Sequence, residues 1–237
     1  MKWYTAIGIK KENADGRFYV RSEAEEKILT GMEIQIWSAL LWAFCEEQDI
    51  FGRLKGLLRI AFGEEEAQQR ADEAEFRYCL RRLETRGLVA VVEGECVEEA
   101  VESLMKRVTM VRVRQSTGER FLLFLNSMSM GKGLRFSMRA FQREVLTREE
   151  ENLLCRLEEE GRIELHLRNL AKQAGQVAAL VEGSDTKFVE NVQRDFLAGV
   201  IALYGRKQLM IESIRKEEYF EESENTATFE EAAGVHT

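Results

Sequence analysis

The chain has 237 residues and a formal net charge of −8, with 45% hydrophobic and 32% charged side chains. That balance excludes a disordered chain, and the length allows one large domain or two small ones, each with its own core. No window reaches the ~18 uninterrupted apolar residues of a membrane span, and Met1-Lys2-Trp3-Tyr4-Thr5 lacks the apolar run of a signal peptide, so a cytoplasmic protein is expected.

In chain order, Trp3, Thr5, Ile7 and Ile9 alternate with Tyr4, Ala6, Gly8 and Lys10, and Asp15-Gly16 turns into Phe18-Tyr19-Val20, which predicts a β-hairpin. Thr30 with Glu33 three residues on is a capping box, and Ile34, Trp37, Leu40, Leu41 and Phe44 behind it fall at helical spacing. Phe51, Leu54, Leu57, Leu58 and Phe62 mark a second amphipathic helix ending near Gly63. A polar stretch, 64–72, precedes a third helix through Phe76, Leu80 and Leu83, closed by Gly87 at the left-handed position just past its end. Leu88 to Val92 reads as a strand and 97–105 as a short helix. Val108–Val113 and Phe121–Leu125 then read as two strands joined at Ser116-Thr117-Gly118.

Three helices followed by a hairpin is the order of a winged helix-turn-helix. The run Leu80-Arg81-Arg82-Leu83-Glu84-Thr85-Arg86-Gly87-Leu88-Val89 resembles the junction between recognition helix and wing in bacterial winged-helix regulators, L-x-x-L-E-x-x-G-L-V. The layout recurs. Leu146-Thr147-Arg148-Glu149-Glu150 repeats the cap of Leu29-Thr30-Gly31-Met32-Glu33, and Phe188 to Gly199 spans 11 residues, as does Phe76 to Gly87. The expected fold is therefore α+β and mainly helical, with two tandem winged helix-turn-helix units, each with a small antiparallel β-hairpin wing. The first unit, with its leading hairpin, occupies 1–128 and the second 129–214, its wing formed by Val200–Tyr204 and Gln208–Ile214. An acidic tail fills 215–237.

Residues 212–237 hold eight Glu against Arg215 and Lys216, a balance of −6 that leaves −2 on the other 211 residues. Within them, nine basic side chains between 106 and 143 face only Glu119, giving +8, the electrostatic footprint of a polyanion partner. The tail could compete with such a partner for this strip. On the third helix, Arg77 and Arg81 share one face, with Arg82 and Arg86 beside it. The corresponding helix of the second unit, 186–198, sets Lys187 and Arg194 against Glu190 and Asp195 and is neutral. The resemblance thus implies a sequence-specific, double-stranded-DNA-binding transcriptional regulator or replication-type initiator. Arg77, Arg81, Arg82 and Arg86 would sit on its recognition helix, and Arg107, Arg112, Arg114 and Arg120 on a basic wing. The second unit would then dimerise or dock a protein.

A second reading stands beside it: tandem winged helices that assemble proteins without touching DNA, favoured by the overall acidity and the neutral second helix. An enzyme has no foothold. Histidine occurs only at 166 and 236, cysteines 45, 79, 96 and 155 show no paired spacing for a metal, and no phosphate-binding or nucleophile motif is present. No cofactor is expected. A redox sensor at Cys79 in the third helix is a minor third reading.

Overall fold

Two separated antiparallel strand pairs organise the chain, each closed by residues about ninety positions apart or more. A computed structural model describes residues 1–12, 17–113, 117–131, 133–138, 146–180 and 186–215. In the first half, β1 (Lys2–Ala6) pairs with β5 (Val89–Glu93) in the register Trp3↔Val92 and Thr5↔Ala90. On its other edge β1 is bridged by Cys45, through the Tyr4 amide to the Cys45 carbonyl (2.9 Å) and the reverse bond (3.1 Å).

Between those strands lie a meander, β2 (Ile9–Glu12), β3 (Phe18–Ser22) and β4 (Glu25–Ile28), and four helices, α1 (Gly31–Leu40), α2 (Glu47–Phe62), α3 (Glu64–Arg70) and α4 (Glu73–Thr85). The expected hairpin exists as β2–β3, while the alternating run before it pairs with β5 instead. Gly8 allows the bend between β1 and β2. Its φ is +96°, and a Cβ there would run into Val20 and the Arg21 carbonyl. The polar stretch 64–72 holds α3, started by three glutamates that complement a helix N-terminus.

In α1 the Thr30 amide and hydroxyl donate to the Glu33 carboxylate at 3.1 and 3.2 Å. Ile36, Trp37 and Leu40 are fully buried, and the Trp37 indole donates to the Ile7 carbonyl at 2.9 Å. Asp72 caps α4 by accepting from the Ala74 amide at 2.8 Å. That helix buries Phe76, Cys79, Leu80 and Leu83 and ends at Gly87 with φ +67°. There the Gly87 amide bonds the Glu84 carbonyl and the Leu88 amide bonds the Leu83 carbonyl, both at 2.9 Å, returning the chain to the sheet.

The second half follows α5 (Val97–Met105): β6 (Val108–Arg112), α6 (Thr117–Ser129), α7 (Leu134–Ser137), α8 (Arg148–Glu159), α9 (Ile163–Leu180), α10 (Thr186–Gly205) and β7 (Leu209–Ile214). β6 pairs with β7, Val108 facing Ile214 and Arg112 facing Leu209, and Arg162 bridges Thr109 as Cys45 bridges Tyr4. Each half therefore runs strand, helix, bridging residue, helix, final helix, strand. The first inserts a meander after its opening strand and α3 between its helices; the second inserts α6–α7 after its opening strand. The capping box recurs at Thr147 and Glu150. The closing turn recurs at Lys207, φ +63°, with Lys207 bonded to Tyr204 at 2.8 Å and Gln208 to Leu203 at 2.9 Å.

Three expectations are corrected. Phe121–Leu125 lies inside α6, so the basic hairpin wing joined at 116–118 does not exist, and β6 takes β7 as its partner. A five-residue apolar run suits a buried strand and a helix equally, and here Phe121, Phe124, Leu125 and Met128 continue it at helical spacing. Val200–Tyr204 is helical too, because Leu197, Val200, Leu203 and Tyr204 form the buried face of α10. Gly199 is consequently no helix end but a mid-helix contact, where a Cβ would press on Leu153. Neither strand pair is a hairpin.

The halves interlock. The Tyr204 and Thr5 hydroxyls are 2.9 Å apart, the Trp42 indole donates to the Leu209 carbonyl (2.8 Å) and the Gly8 amide to the Ile211 carbonyl (2.8 Å). Met210 of β7 packs in the core of the first half, around Trp37, Phe76 and Leu83. Ala90 and Val92 of β5 pack in the other, around Met110, Leu154 and Val200. The boundary expected at 128/129 falls at the end of α6, and β6 and β7 pair across it.

Candidate nucleic-acid interface

Helix α4 stands on the surface with Arg77, Tyr78, Arg81 and Arg82 exposed on its outer face; Tyr78 is 63% exposed. The four arginines of α4 nevertheless have different jobs. Arg77 donates from Nε to Glu47 (3.1 Å) and from Nη2 to Glu73 (2.7 Å), solvent-exposed pairs worth ~0–1 kcal/mol each. Arg81 has no ion pair among the described residues. Arg82 Nε lies 3.2 Å from Glu33 Oε1. Arg86 grips both Glu33 oxygens from Nη1 at 3.0 and 3.1 Å and donates from Nη2 to the Ile28 carbonyl at 2.6 Å. Glu33, its side chain 1% exposed, is thus held by two guanidinium groups and the α1 cap. Arg82 and Arg86 neutralise an internal carboxylate before they can meet any ligand.

The residues expected on the wing are dispersed. Arg107 is half-buried at the start of β6, and its carbonyl accepts from the Arg215 amide at 3.0 Å. Arg112 is fixed between Glu151 (2.9 Å) and Glu158 (3.3 Å) of α8. Arg120 is half-buried on α6, and Arg114 lies outside the described residues. The surroundings of α4 do not supply the missing field either. Residues 1–105 carry 14 basic and 21 acidic side chains, a balance of −7, so the excess positive charge of the chain lies in the stretch 106–143.

Helix α10, the counterpart of α4, is partly covered by α5, with a shallow groove of about 290 Å³ between Val97 and Val101 on one side and Leu197 and Ile201 on the other. His166 is half-buried, with Nε2 2.6 Å from the Glu160 carbonyl and its ring 5.5 Å from that of Phe196, a packing role. Burial pushes the Cys79 thiol upward, aided by Glu33 and Glu75, the reverse of what a reactive sensor thiol needs.

What the sequence did not single out is the surface of α6 and α7. Phe121, Met130, Leu134, Phe136 and Met138 are all exposed, Leu134 at 61%, and the described core side chains include none from 117–138. The α6 end of this platform leans on α2, where Ser129 contacts Gly56. Beside it opens a groove of about 320 Å³ bordered by Lys55, Arg59 and Gln68. The available signal was five large apolar residues placed within the most basic stretch of the chain. Among the described residues no group of His, Cys, Asp or Glu is arranged to hold a metal, and no helix is long and apolar enough to cross a membrane. Compared with protein-family models, curated proteins and solved structures, the chain matches none.

Proposed function

We propose that the chain is an assembly module of two diverged winged-helix-like units, each with a long-range strand pair in place of a hairpin wing, locked into one body that presents α6 and α7 to a protein partner. The observation that carries this reading is the platform itself. Five large apolar side chains stand exposed on an insertion none of whose described side chains enters either core, and such a concentration of exposed apolar surface is characteristic of interaction sites. The repeated order of strand, three helices and strand supports the tandem winged-helix part of the proposal. The ion pairs of Arg82, Arg86 and Arg112 weigh against phosphate binding by those side chains.

One observation favours a second reading, in which α4 reads double-stranded DNA: Tyr78 and Arg81 project from its outer face, with no ion pair to Arg81 among the described residues. Titrating the full chain with random-sequence duplex at low and high salt separates the two. The assembly reading expects no retention at low salt. Retention that falls steeply with salt, and that Arg77→Ala/Arg81→Ala abolishes without lowering Tm, overturns it in favour of a DNA-binding regulator.

A further inference from the structure

The α6–α7 platform pairs apolar surface with positive charge. Exposed Arg135 sits among Leu134, Phe136 and Met138, and the adjoining groove is lined by Lys55 and by Arg59, the latter 3.7 Å from Glu64 of the same groove. A ligand suited to it would combine acidic groups with aromatic rings. The chain carries such a segment. Residues 217–237 contain Glu217-Glu218-Tyr219-Phe220-Glu221-Glu222 and, nine residues after Phe220, Phe229-Glu230-Glu231, with no Lys or Arg among them.

The geometry points to an intramolecular seat: we propose that the acidic C-terminal segment docks its aromatic residues on the α6–α7 platform, so that the chain covers its own docking face and an external partner must displace it. This rests on the assembly reading of the platform and adds its regulation and the chemistry of the ligand, an acidic peptide bearing aromatic side chains. The charges are complementary, −7 over 217–237 against +2 over 117–138. Reach is ample as well. β7 runs out at Ile214 opposite Val108, while α6 departs beyond Arg112 at the other end of the same ladder, about one five-residue strand length or ~17 Å away. Phe229 lies fourteen steps along the chain from Arg215, and ~3.3 Å per step lets the two stand up to ~45 Å apart, roughly the diameter of a body this size. A second copy docking platform to platform is disfavoured because it would bring like charges together.

The test compares the full wild-type chain with Phe220→Ser/Phe229→Ser by hydrogen–deuterium exchange and by fluorescence of an apolar-surface dye. Amides of 117–138 should exchange about tenfold faster in the variant, with α4 unchanged, and the dye should bind the variant several-fold more. Protection that does not depend on protein concentration supports seating within one chain; protection lost on dilution overturns it in favour of exchange between copies. Equal exchange, with dye bound equally by both chains, overturns the tail as occupant and leaves the platform a docking face. Dye bound by neither chain, before or after addition of 0.5 M salt, overturns the docking reading of the platform as well.

Discussion

The two halves use the same parts under different degrees of burial, and the comparison separates what holds the fold from what is left over for binding. In each, the glutamate of a capping box accepts from an arginine just past the final helix: Glu33 from Arg86 and Glu150 from Arg206. Arg206 follows Arg86 by 120 residues and Glu150 follows Glu33 by 117, so the pair marks equivalent positions. In the first half the carboxylate is 1% exposed and shared with Arg82; in the second it is 24% exposed and has Arg206 as its arginine partner. An arginine at a final helix therefore does not by itself offer its charge to a ligand in this chain, because the buried copy of the motif engages Arg82 and Arg86.

Glu33→Gln is expected to have the largest effect. It leaves Arg86 half-buried without a counter-charge and weakens the α1 cap, costing about 3 kcal/mol, or a fall in Tm of about 6–12 °C by calorimetry. Glu150→Gln, made at the more exposed copy, should lower Tm clearly less. Equal losses at the two sites would show that burial does not set the strength of the clamp. Because the halves share core residues and cross-bonds, both variants should still unfold in one transition.

The closing turn gives the next step down. Gly87 and Lys207 both hold φ near +65°, where a Cβ costs about 1 kcal/mol, and a Cβ built on Gly87 meets nothing within 4 Å. Gly87→Ala should destabilise by about 1 kcal/mol through the backbone alone. Lys207→Gly should gain less than that, since glycine also widens the unfolded ensemble. Chemical denaturation of the pair checks both signs, and a loss at Lys207→Gly would show that the lysine side chain contributes more than its strain costs.

Local signals in the sequence located most of the first half. The Thr30–Glu33 box, the Phe76–Leu83 periodicity, Gly87 and helix 97–105 all depend on neighbours within a few positions, and each stands where expected. Strand partners were not legible, because Trp3↔Val92 and Met110↔Ile211 join positions with no local turn between them. The second closing turn was read eight residues early, at Gly199, since lysine is not the residue a left-handed helix end usually takes. The ion pairs of the candidate interface were not legible for a related reason. The arginines were visible, but Glu33 and Glu151, the carboxylates that occupy Arg86 and Arg112, lie 53 and 39 residues away.

The bridging residue gives the finest contrast. Cys45, in the first half, is buried, and desolvation pushes its thiol up to about 11. At pH 8 it is almost wholly protonated, so it should resist a thiol-specific disulfide reagent in the native chain. Cys79 should be slow as well, leaving exposed Cys96 and Cys155 as the two fast thiols. Arg162 takes the same place in the second half but lies at the surface, where its guanidinium and amide donate to Glu160 and hold that carboxyl down at about 2. A depressed carboxyl stabilises the fold above its ordinary value of 4.5, and that contribution is lost as pH falls from about 4.5 toward 2. Carbon-13 titration of the Glu160 carboxyl should show a midpoint near 2. Arg162→Ala removes the guanidinium but keeps the amide donor, so the midpoint should move most of the way back toward 4.5. A midpoint already near 4.5 in the wild-type chain would mean that the pair is open in solution, and that the second bridge is held by its main-chain contact with Thr109 alone.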